Sequence, residues 1–164
     1  MANVKTCFWF EDRMQEAINF YVSLIKNSRV IETSGMPEGT NMPEGTTTPE
    51  DGVMTMTFEL DGVEFMGLQG GPEFKHTEAA SIYVEVPDQK EVDRLWNALT
   101  ANGGEESFCG WLKDKYGLSW QIIPKQLPEM MSDKNQAKAS AAANAMLQMR
   151  KLDVATLQQA YDAA

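Results

Sequence analysis

The feature that most constrains the fold is a repeat in the order of the secondary-structure elements. The first half predicts a strand, a helix and three strands, at residues 6–10, 12–25, 28–33, 53–60 and 63–68. The second half predicts the same order, at residues 80–86, 88–102, 106–108, 110–113 and 118–123. Because one order occurs twice although the letters do not match, the sequence indicates two similar βαβββ modules. We therefore expect an α+β fold with a duplicated topology.

The strongest local signal lies where the first module predicts its last two strands. Residues 53–60 alternate between apolar and polar side chains, as expected for a strand with one buried face. Asp61-Gly62 follows, and this dipeptide suits the positive φ angles of a two-residue hairpin turn. The sequence therefore predicts an antiparallel hairpin here.

Both predicted helices place apolar residues on one face. The first carries Met14, Ala17, Ile18, Tyr21, Leu24 and Ile25, and the second carries Val92, Leu95, Trp96 and Leu99. Asp88 and Glu91 are spaced as a reciprocal cap at the start of the second helix. By contrast, residues 35–52 contain the pentapeptide MPEGT twice and three prolines, which predicts a long loop.

Charge and cysteine content exclude several classes of function. With 14 Lys and Arg against 24 Asp and Glu, the net charge is −10, so the chain lacks the basic surface that nucleic acids require. The same charge disfavours an anionic membrane surface, and no apolar run approaches the roughly 18 residues of a membrane-spanning helix. The N-terminus shows no signal sequence, and Cys7 and Cys109 are too few for a disulfide scaffold. We expect a cytoplasmic location.

The composition changes beyond Pro124 and Pro128. Residues 134–150 are rich in Ala and Met and predict a helix, and Asp153 is expected to cap another short one. Isolated helices shorter than about 12–15 residues are marginal in water, so these need a surface to pack against. That surface is either the rest of the domain or a second subunit, and we expect the second subunit because the two modules can pack on each other.

The predicted domain division follows from these elements. A domain at 1–128 contains modules at 4–70 and 78–125, and a helical extension occupies 129–164.

Three segments resemble a known family. They are FWFEDRMQEAINFY at 8–21, MTMTFELDGVEFMGLQGGPEFKHTEAAS at 54–81 and CGWLKDKYGLSWQIIP at 109–124. They are similar to the PhnB-like branch of the vicinal oxygen chelate superfamily, which is also called glyoxalase/bleomycin resistance/dioxygenase-like. This branch is often described as a 3-demethylubiquinone-9 3-methyltransferase family. The tail between Leu127 and Tyr161 is also similar to the family pattern.

The resemblance implies a cupped mixed sheet around a pocket, in a homodimer whose subunits can exchange strands. Metal enzymes of the superfamily hold one divalent cation with His and Glu side chains from four strands. The matching positions here are Thr6, Gly67, Ser81 or its neighbour Ala80, and Gln121. Since hydroxyl groups and a neutral amide bind divalent metals weakly, we expect no metal and no cofactor.

The ligand pocket is expected to be aromatic, with few polar groups. The candidates are Trp9, Phe58, Trp111 and Trp120 as the apolar lining, with Gln69 and Gln121 as the groups that orient a ligand. Aromatic residues on strands are more often part of a core, so we expect only a minority of them to face a cavity.

Three further features allow a catalytic or a structural interpretation. His76, the only histidine, could be a general base at the pocket mouth, although a solvated loop residue is the favoured interpretation. Cys109 could be a nucleophile, but no histidine is placed to activate it, which favours an inert thiol. Residues 114–117, Asp-Lys-Tyr-Gly, resemble a functional cluster and are typical of a turn.

The function expected from the sequence is binding of a small molecule by a metal-free homodimer. The alternative is an enzyme of the superfamily, either metal-dependent or transferring a methyl group. A nucleotide-like methyl donor normally lies at a glycine-rich turn that opens a helix. Here Gly70-Gly71 precede Pro72, and Gly103-Gly104 close a helix, so the glycines favour the binding protein.

Overall fold

The computed structural model describes residues 2–164, and the chain divides into two compact units, one ending at His76 and one beginning at Thr77. Unit 1 contains β1 (Thr6–Phe10), α1 (Met14–Leu24), β2 (Arg29–Gly35), β3 (Val53–Leu60) and β4 (Val63–Gln69). Its strands form one sheet in the order β1-β4-β3-β2. β1 runs parallel to β4 and the other neighbours are antiparallel, so the predicted βαβββ module is confirmed.

Helix α1 covers one face of the unit 1 sheet. Met14, Ala17, Ile18 and Tyr21 are buried on the helix face that the sequence predicts. Gly67 of β4 allows the close approach, because a Cβ atom there would lie 2.5 Å from Cδ1 of Ile18. β3 alternates between buried and half-buried residues along its whole length, which confirms the predicted pattern.

The predicted hairpin between β3 and β4 is confirmed. Asp61 and Gly62 have φ angles of 46° and 85°, both in the left-handed region that the Asp-Gly dipeptide favours. No helix or strand lies between the end of β2 at Gly35 and the start of β3 at Val53, so this segment is the predicted loop.

Unit 2 repeats the order of unit 1 and adds three helices. It contains β5 (Ser81–Val86), α2 (Gln89–Thr100), β6 (Glu105–Glu106), β7 (Trp111–Lys113), β8 (Ser119–Pro124), α3 (Gln126–Met131), α4 (Gln136–Met146) and α5 (Val154–Asp162). The sheet order is β5-β8-β7-β6, with β5 parallel to β8. The second module and the helical tail are therefore also confirmed. None of the helices in residues 2–164 is long and apolar enough to cross a membrane.

Asp88 caps the start of α2, as predicted. The Asp88 carboxylate accepts a hydrogen bond of 2.9 Å from the backbone N–H of Glu91. The Glu91 side chain pairs with Arg94, at 2.6 Å from Nη2, and so contributes an ion pair along the helix. The two residues that the sequence indicates thus both stabilise the first turns of the helix.

The sequence analysis missed α3. This helix contains Pro128 at its third position. Proline is tolerated there because the first turn of a helix has no intrahelical acceptors for its N–H groups. The helix crosses the predicted boundary between residues 128 and 129.

The C-terminal helices pack within unit 2, which corrects the expectation that their apolar faces serve a second subunit. Ala142, Leu152 and Leu157 are fully buried in this chain, in a cluster with Ile123 of β8. The Gln89 side chain of α2 holds the segment in place, since it donates to the carbonyl of Leu152 and accepts from the N–H of Val154. Two backbone bonds also join residues 109–110 to residues 149–150. The tail therefore forms part of the core of unit 2.

Candidate functional site

The two faces of the unit 2 sheet differ in what covers them. Leu112, Trp120 and Ile122 are fully buried on the face that packs against α2. Residues paired across a sheet share a face, so Trp111, Gln121 and Tyr83 form one row on the second face. This second face carries the candidate site.

A cavity of about 270 Å³, called here the apolar cavity, lies on the second face. Its lining joins the sheet to the C-terminal helices and consists of Tyr83, Cys109, Trp111, Gln121, Ile123, Leu127, Pro128, Met131 and Met146. Apart from Cys109 and Gln121, all of these residues are hydrophobic or proline. Such a lining suits a small apolar or aromatic molecule.

Gln121 is the principal polar group of the apolar cavity. Its Nε2 donates a hydrogen bond of 2.9 Å to Oγ of Ser81, which fixes the orientation of the amide. Tyr83, which is 52 % exposed, lies beside Gln121 in the same row. Partial burial, and secondarily Glu85, raises the pKa of the Tyr83 hydroxyl, so it stays protonated and able to donate.

A smaller cavity of about 120 Å³, called here the polar cavity, shares Trp111 with the apolar cavity. Its lining consists of Glu78, Glu105, Glu106, Ser107, Trp111, Leu112, Lys113 and Ser119. Lys113 forms an ion pair with Glu78 at 2.5 Å. Their hydrogen bond raises the pKa of Lys113 and lowers that of Glu78, so both are charged at neutral pH.

The six predicted pocket residues divide between the two units, with Trp9, Phe58 and Gln69 in unit 1 and Trp111, Trp120 and Gln121 in unit 2. Trp111 and Gln121 lie side by side in the apolar cavity. Phe58 and Trp120 are fully buried in the cores of their own units and line neither cavity, as the structural interpretation of strand aromatics expects. The Nε1 atom of Trp120 donates to a carboxylate oxygen of Asp114 at 2.8 Å.

The two remaining predicted pocket residues have structural roles in unit 1. Gln69 is buried, and its Oε1 accepts a hydrogen bond of 3.1 Å from the N–H of Met14 at the start of α1. The Trp9 ring packs against the backbone of Gly70, and its Nε1 donates a hydrogen bond of 2.8 Å to the carbonyl of Gly71. A Cβ atom at Gly70 would lie 2.2 Å from the Trp9 ring. The glycines therefore allow the indole to pack on the backbone.

The predicted metal-ligand positions do not offer the chemistry of a metal centre. In unit 1, Gly67 has no side chain and faces α1, and Thr6 is exposed on β1. In unit 2, Ser81 and Gln121 bond to each other, and the Ala80 alternative has no donor atom. Throughout residues 2–164, no three His, Cys, Asp or Glu side chains are grouped as a metal site. The donor set of this chain does not fit the divalent cation of the metal enzymes.

The glycine pairs also do not fit a nucleotide-like methyl donor. Gly70-Gly71 pack under Trp9, and the next helix after them begins only at Gln89. Gly103 has a φ angle of 110° and follows the end of α2, where it reverses the chain. Neither pair opens a helix with its N–H groups turned towards a phosphate.

The segment at 114–117 is a turn, as predicted, with a buried carboxylate at its centre. Asp114 is 3 % exposed, and its Oδ1 accepts from the N–H groups of Tyr116 and Leu118 at 2.8 and 3.1 Å. Its other oxygen holds the Trp120 indole. Asp114 is therefore a structural residue that joins β7 to β8.

His76 and Cys109 lie in different units. The His76 ring packs edge-on to Phe8 and Phe10, at 6.2 and 5.4 Å between ring centroids. Cys109 lines the apolar cavity and has a φ angle of 58°. Its N–H donates to the carbonyl of Met149, which holds this backbone in place.

Several lining residues were missed by the sequence analysis. They are Tyr83 and Ile123 on the sheet and Leu127, Pro128, Met131 and Met146 on the helices. Tyr83 could have been found from its strand, since Ser81 and Tyr83 alternate with the buried Ile82. The helical residues could not, because nothing in their pattern indicates which sheet face they approach.

The comparisons with known proteins agree with this fold. The family described as 3-demethylubiquinone-9 3-methyltransferase matches residues 2–123. The tail between Leu127 and Tyr161, which was also expected to resemble the family, lies outside this match. No curated protein matches the chain.

Solved structures resemble the chain over similar lengths. The PhnB protein from Bacillus cereus, a provisional 3-demethylubiquinone-9 3-methyltransferase, is 32 % identical, covers 75 % of this chain and 99 % of its own, and has a TM-score of 0.63. The protein PA1353 from Pseudomonas aeruginosa is 17 % identical, with coverages of 76 % and 98 % and a TM-score of 0.55.

The fosfomycin resistance protein FosX from Listeria monocytogenes is 15 % identical, with coverages of 80 % and 98 % and a TM-score of 0.53. This likeness concerns the fold alone. The chain belongs to the 3-demethylubiquinone-9 3-methyltransferase, or PhnB, family and has the glyoxalase-like fold of the vicinal oxygen chelate superfamily.

Proposed function

We propose that this protein binds a small aromatic or apolar molecule in the apolar cavity of unit 2. The observation that carries the proposal is the meeting of Trp111 and Gln121 in one cavity of about 270 Å³. The indole and the Tyr83 ring supply flat apolar surface, and the amide of Gln121 supplies hydrogen-bonding capacity. Such a site orients a ligand with one polar group and an apolar body.

We propose binding without a metal ion, because Ser81 and Gln121 offer only a hydroxyl group and an amide. We also propose that the chain forms a homodimer, as the family resemblance implies. Two side chains of the tail support an interface, since Met131 is 45 % and Leu147 54 % exposed. Light scattering of the full chain should give twice the mass of 18.3 kDa, and a value of one chain mass contradicts the dimer.

The binding proposal is tested with Trp111→Ala and the neutral probe 2-phenylethanol. Because the indole forms one wall of the apolar cavity, we expect the variant to lose about tenfold or more in affinity while its unit stays folded. Affinity is measured by titration of backbone amide resonances, and folding by circular dichroism.

Phe74→Ala is the control, because Phe74 is another large aromatic residue, 56 % exposed, that lies in unit 1 and lines neither cavity. It should bind the probe as the unchanged protein does. An unchanged affinity in folded Trp111→Ala contradicts the proposed site. If Trp111→Ala instead lowers the free energy of unfolding by about 3–5 kcal/mol, Trp111 is a core residue, and this result also contradicts the proposed site.

Methyl transfer is the second candidate function, because the matching family carries that description. The expected result with S-adenosylmethionine is no shift in the melting temperature, since neither glycine pair opens a helix. A ligand at 100 times its dissociation constant would stabilise the folded state by about 2.7 kcal/mol, which a thermal melt detects readily. A clear upward shift would favour the transferase. A transition metal that survives dialysis would instead favour a metal-dependent enzyme.

A further inference from the structure

The second face of unit 2 carries a polar row next to the aromatic row. In the register of the sheet, Glu105 lies opposite Lys113, Lys113 opposite Ser119, and Ser119 opposite Ser81. The aromatic row of Tyr83, Gln121 and Trp111 lies two residues further along the strands, on the same face. The bond from Gln121 to Ser81 joins the two rows. A ligand in the apolar cavity therefore has a polar region beside it.

The polar cavity carries excess negative charge. Two carboxylates, from Glu78 and Glu105, lie around one ammonium group, from Lys113. Lys113 is held by Glu78, whereas Glu106 lies opposite Leu112 and its carboxylate accepts from the Trp96 indole of α2 at 2.9 Å, away from Lys113. Glu105 lies opposite Lys113 in the register and completes the acidic lining. A cationic group is favoured in such a cavity, and an anion is disfavoured.

A buried hydroxyl group points to a ligand independently of the charges. Ser119 is 0 % exposed, lines the polar cavity, and its Oγ has no hydrogen-bond partner among the described residues. A buried polar atom without a partner destabilises the folded state, so most such atoms in folded proteins are satisfied. A ligand N–H group in the polar cavity would supply the missing bond.

We propose that the ligand of this site is an amine with an aromatic or apolar body, which lies across Trp111 from the apolar to the polar cavity. The body packs against Tyr83 and Trp111, and the protonated amine donates to Ser119 Oγ and to Glu105. Trp111 lines both cavities, so its ring also offers its face to the cation. The inference rests on the proposed binding function and adds the chemical class of the ligand.

The test compares three probes that share a phenyl ring and have similar length. These are 2-phenylethylamine, 2-phenylethanol and 3-phenylpropionate, titrated into the full chain at neutral pH and low salt. We expect the amine to bind about tenfold more tightly than the alcohol, the range of one charge-assisted hydrogen bond, and the carboxylate to bind most weakly. The preference should decrease as salt screens the charges.

Two variants test the polar groups. Glu105→Gln keeps the side-chain size and removes one charge, and Ser119→Ala removes a hydroxyl group that has no hydrogen-bond partner in the described part of the chain. Both should reduce the preference for the amine over the alcohol several-fold while the affinity for the alcohol stays unchanged. Glu129→Gln is the matched control, because Glu129 is exposed and lines neither cavity, and it should keep the preference.

The outcomes separate this inference from the binding proposal. Equal binding of the three probes, or tighter binding of the carboxylate, overturns the inference that the ligand is an amine. If Trp111→Ala then weakens the binding of all three probes, the proposed binding in the apolar cavity still holds. If the preference for the amine is unchanged in both Glu105→Gln and Ser119→Ala, the polar cavity is not its cause, and the inference is overturned. If none of the probes binds at millimolar concentration, the binding proposal itself fails, and the inference fails with it.

Discussion

Asp114→Ala is expected to lower the free energy of unfolding by about 3–5 kcal/mol, because it leaves at least three donors without their acceptor. The carboxylate accepts from the N–H groups of Tyr116 and Leu118 and from the indole of Trp120. Leu118 and Trp120 are buried, so water cannot replace these bonds readily. Urea denaturation followed by tryptophan fluorescence measures the change.

The control for this change is Asp12→Ala, which removes an exposed carboxylate. Asp12 pairs only with its neighbour Arg13, at 3.3 Å, so its removal should change the stability by less than about 0.5 kcal/mol. A loss below about 1 kcal/mol in Asp114→Ala would show that the turn is held by its backbone bonds instead. Those bonds include one of 2.9 Å from the N–H of Asp114 to the carbonyl of Leu118.

The sequence could predict this turn, but not the buried contact that its first residue makes. Asp at the first position and Gly at the fourth are typical of a turn, and Gly117 has a φ angle of 87°. The bond to Trp120 joins residues six apart and depends on which face of β8 the indole occupies. A turn signal is local in the chain, whereas a strand face is set by tertiary packing.

The same limit explains the candidate site. Alternation in β3 identifies one buried face, but it does not tell whether a helix or a ligand covers it, so Phe58 was a pocket candidate although it lies in the core. In β8, five of six residues are buried, and alternation is lost because the C-terminal helices cover the second face. The sequence therefore does not distinguish Trp111, which lines a cavity, from Trp120, which is buried against α2.

The two modules could be predicted because their signals are short-range. Strand alternation, the Asp61-Gly62 turn and the Asp88 cap each lie within a few residues, and the structure has all three. The position of the tail could not be predicted, since helices with apolar faces fit a neighbouring subunit as well as their own sheet. What decided it is a long-range contact of Leu152 and Leu157 with Ile123.

Removing the residues after Pro124 is expected to unfold or aggregate unit 2. The deletion takes away Leu127, Met130, Leu152 and Leu157, which are buried around Ile123. Each buried Leu or Met contributes about 1.5–3 kcal/mol, so the summed loss is comparable to the whole stability of an ordinary domain, about 5–15 kcal/mol. The deletion also leaves the N–H groups of residues 109 and 110 without their acceptors.

A single substitution separates this packing role from a role in assembly. Leu157→Ala should lower the free energy of unfolding by about 2–5 kcal/mol without changing the mass measured by light scattering, because Leu157 is fully buried within its own chain. Leu147→Ala is the matched control, since Leu147 is 54 % exposed and should leave the stability within about 0.5 kcal/mol. If Leu147→Ala also halves the mass, the exposed side of the tail forms the dimer while its buried side completes the core. A deletion variant that melts at the temperature of the full chain would contradict the core role of the tail.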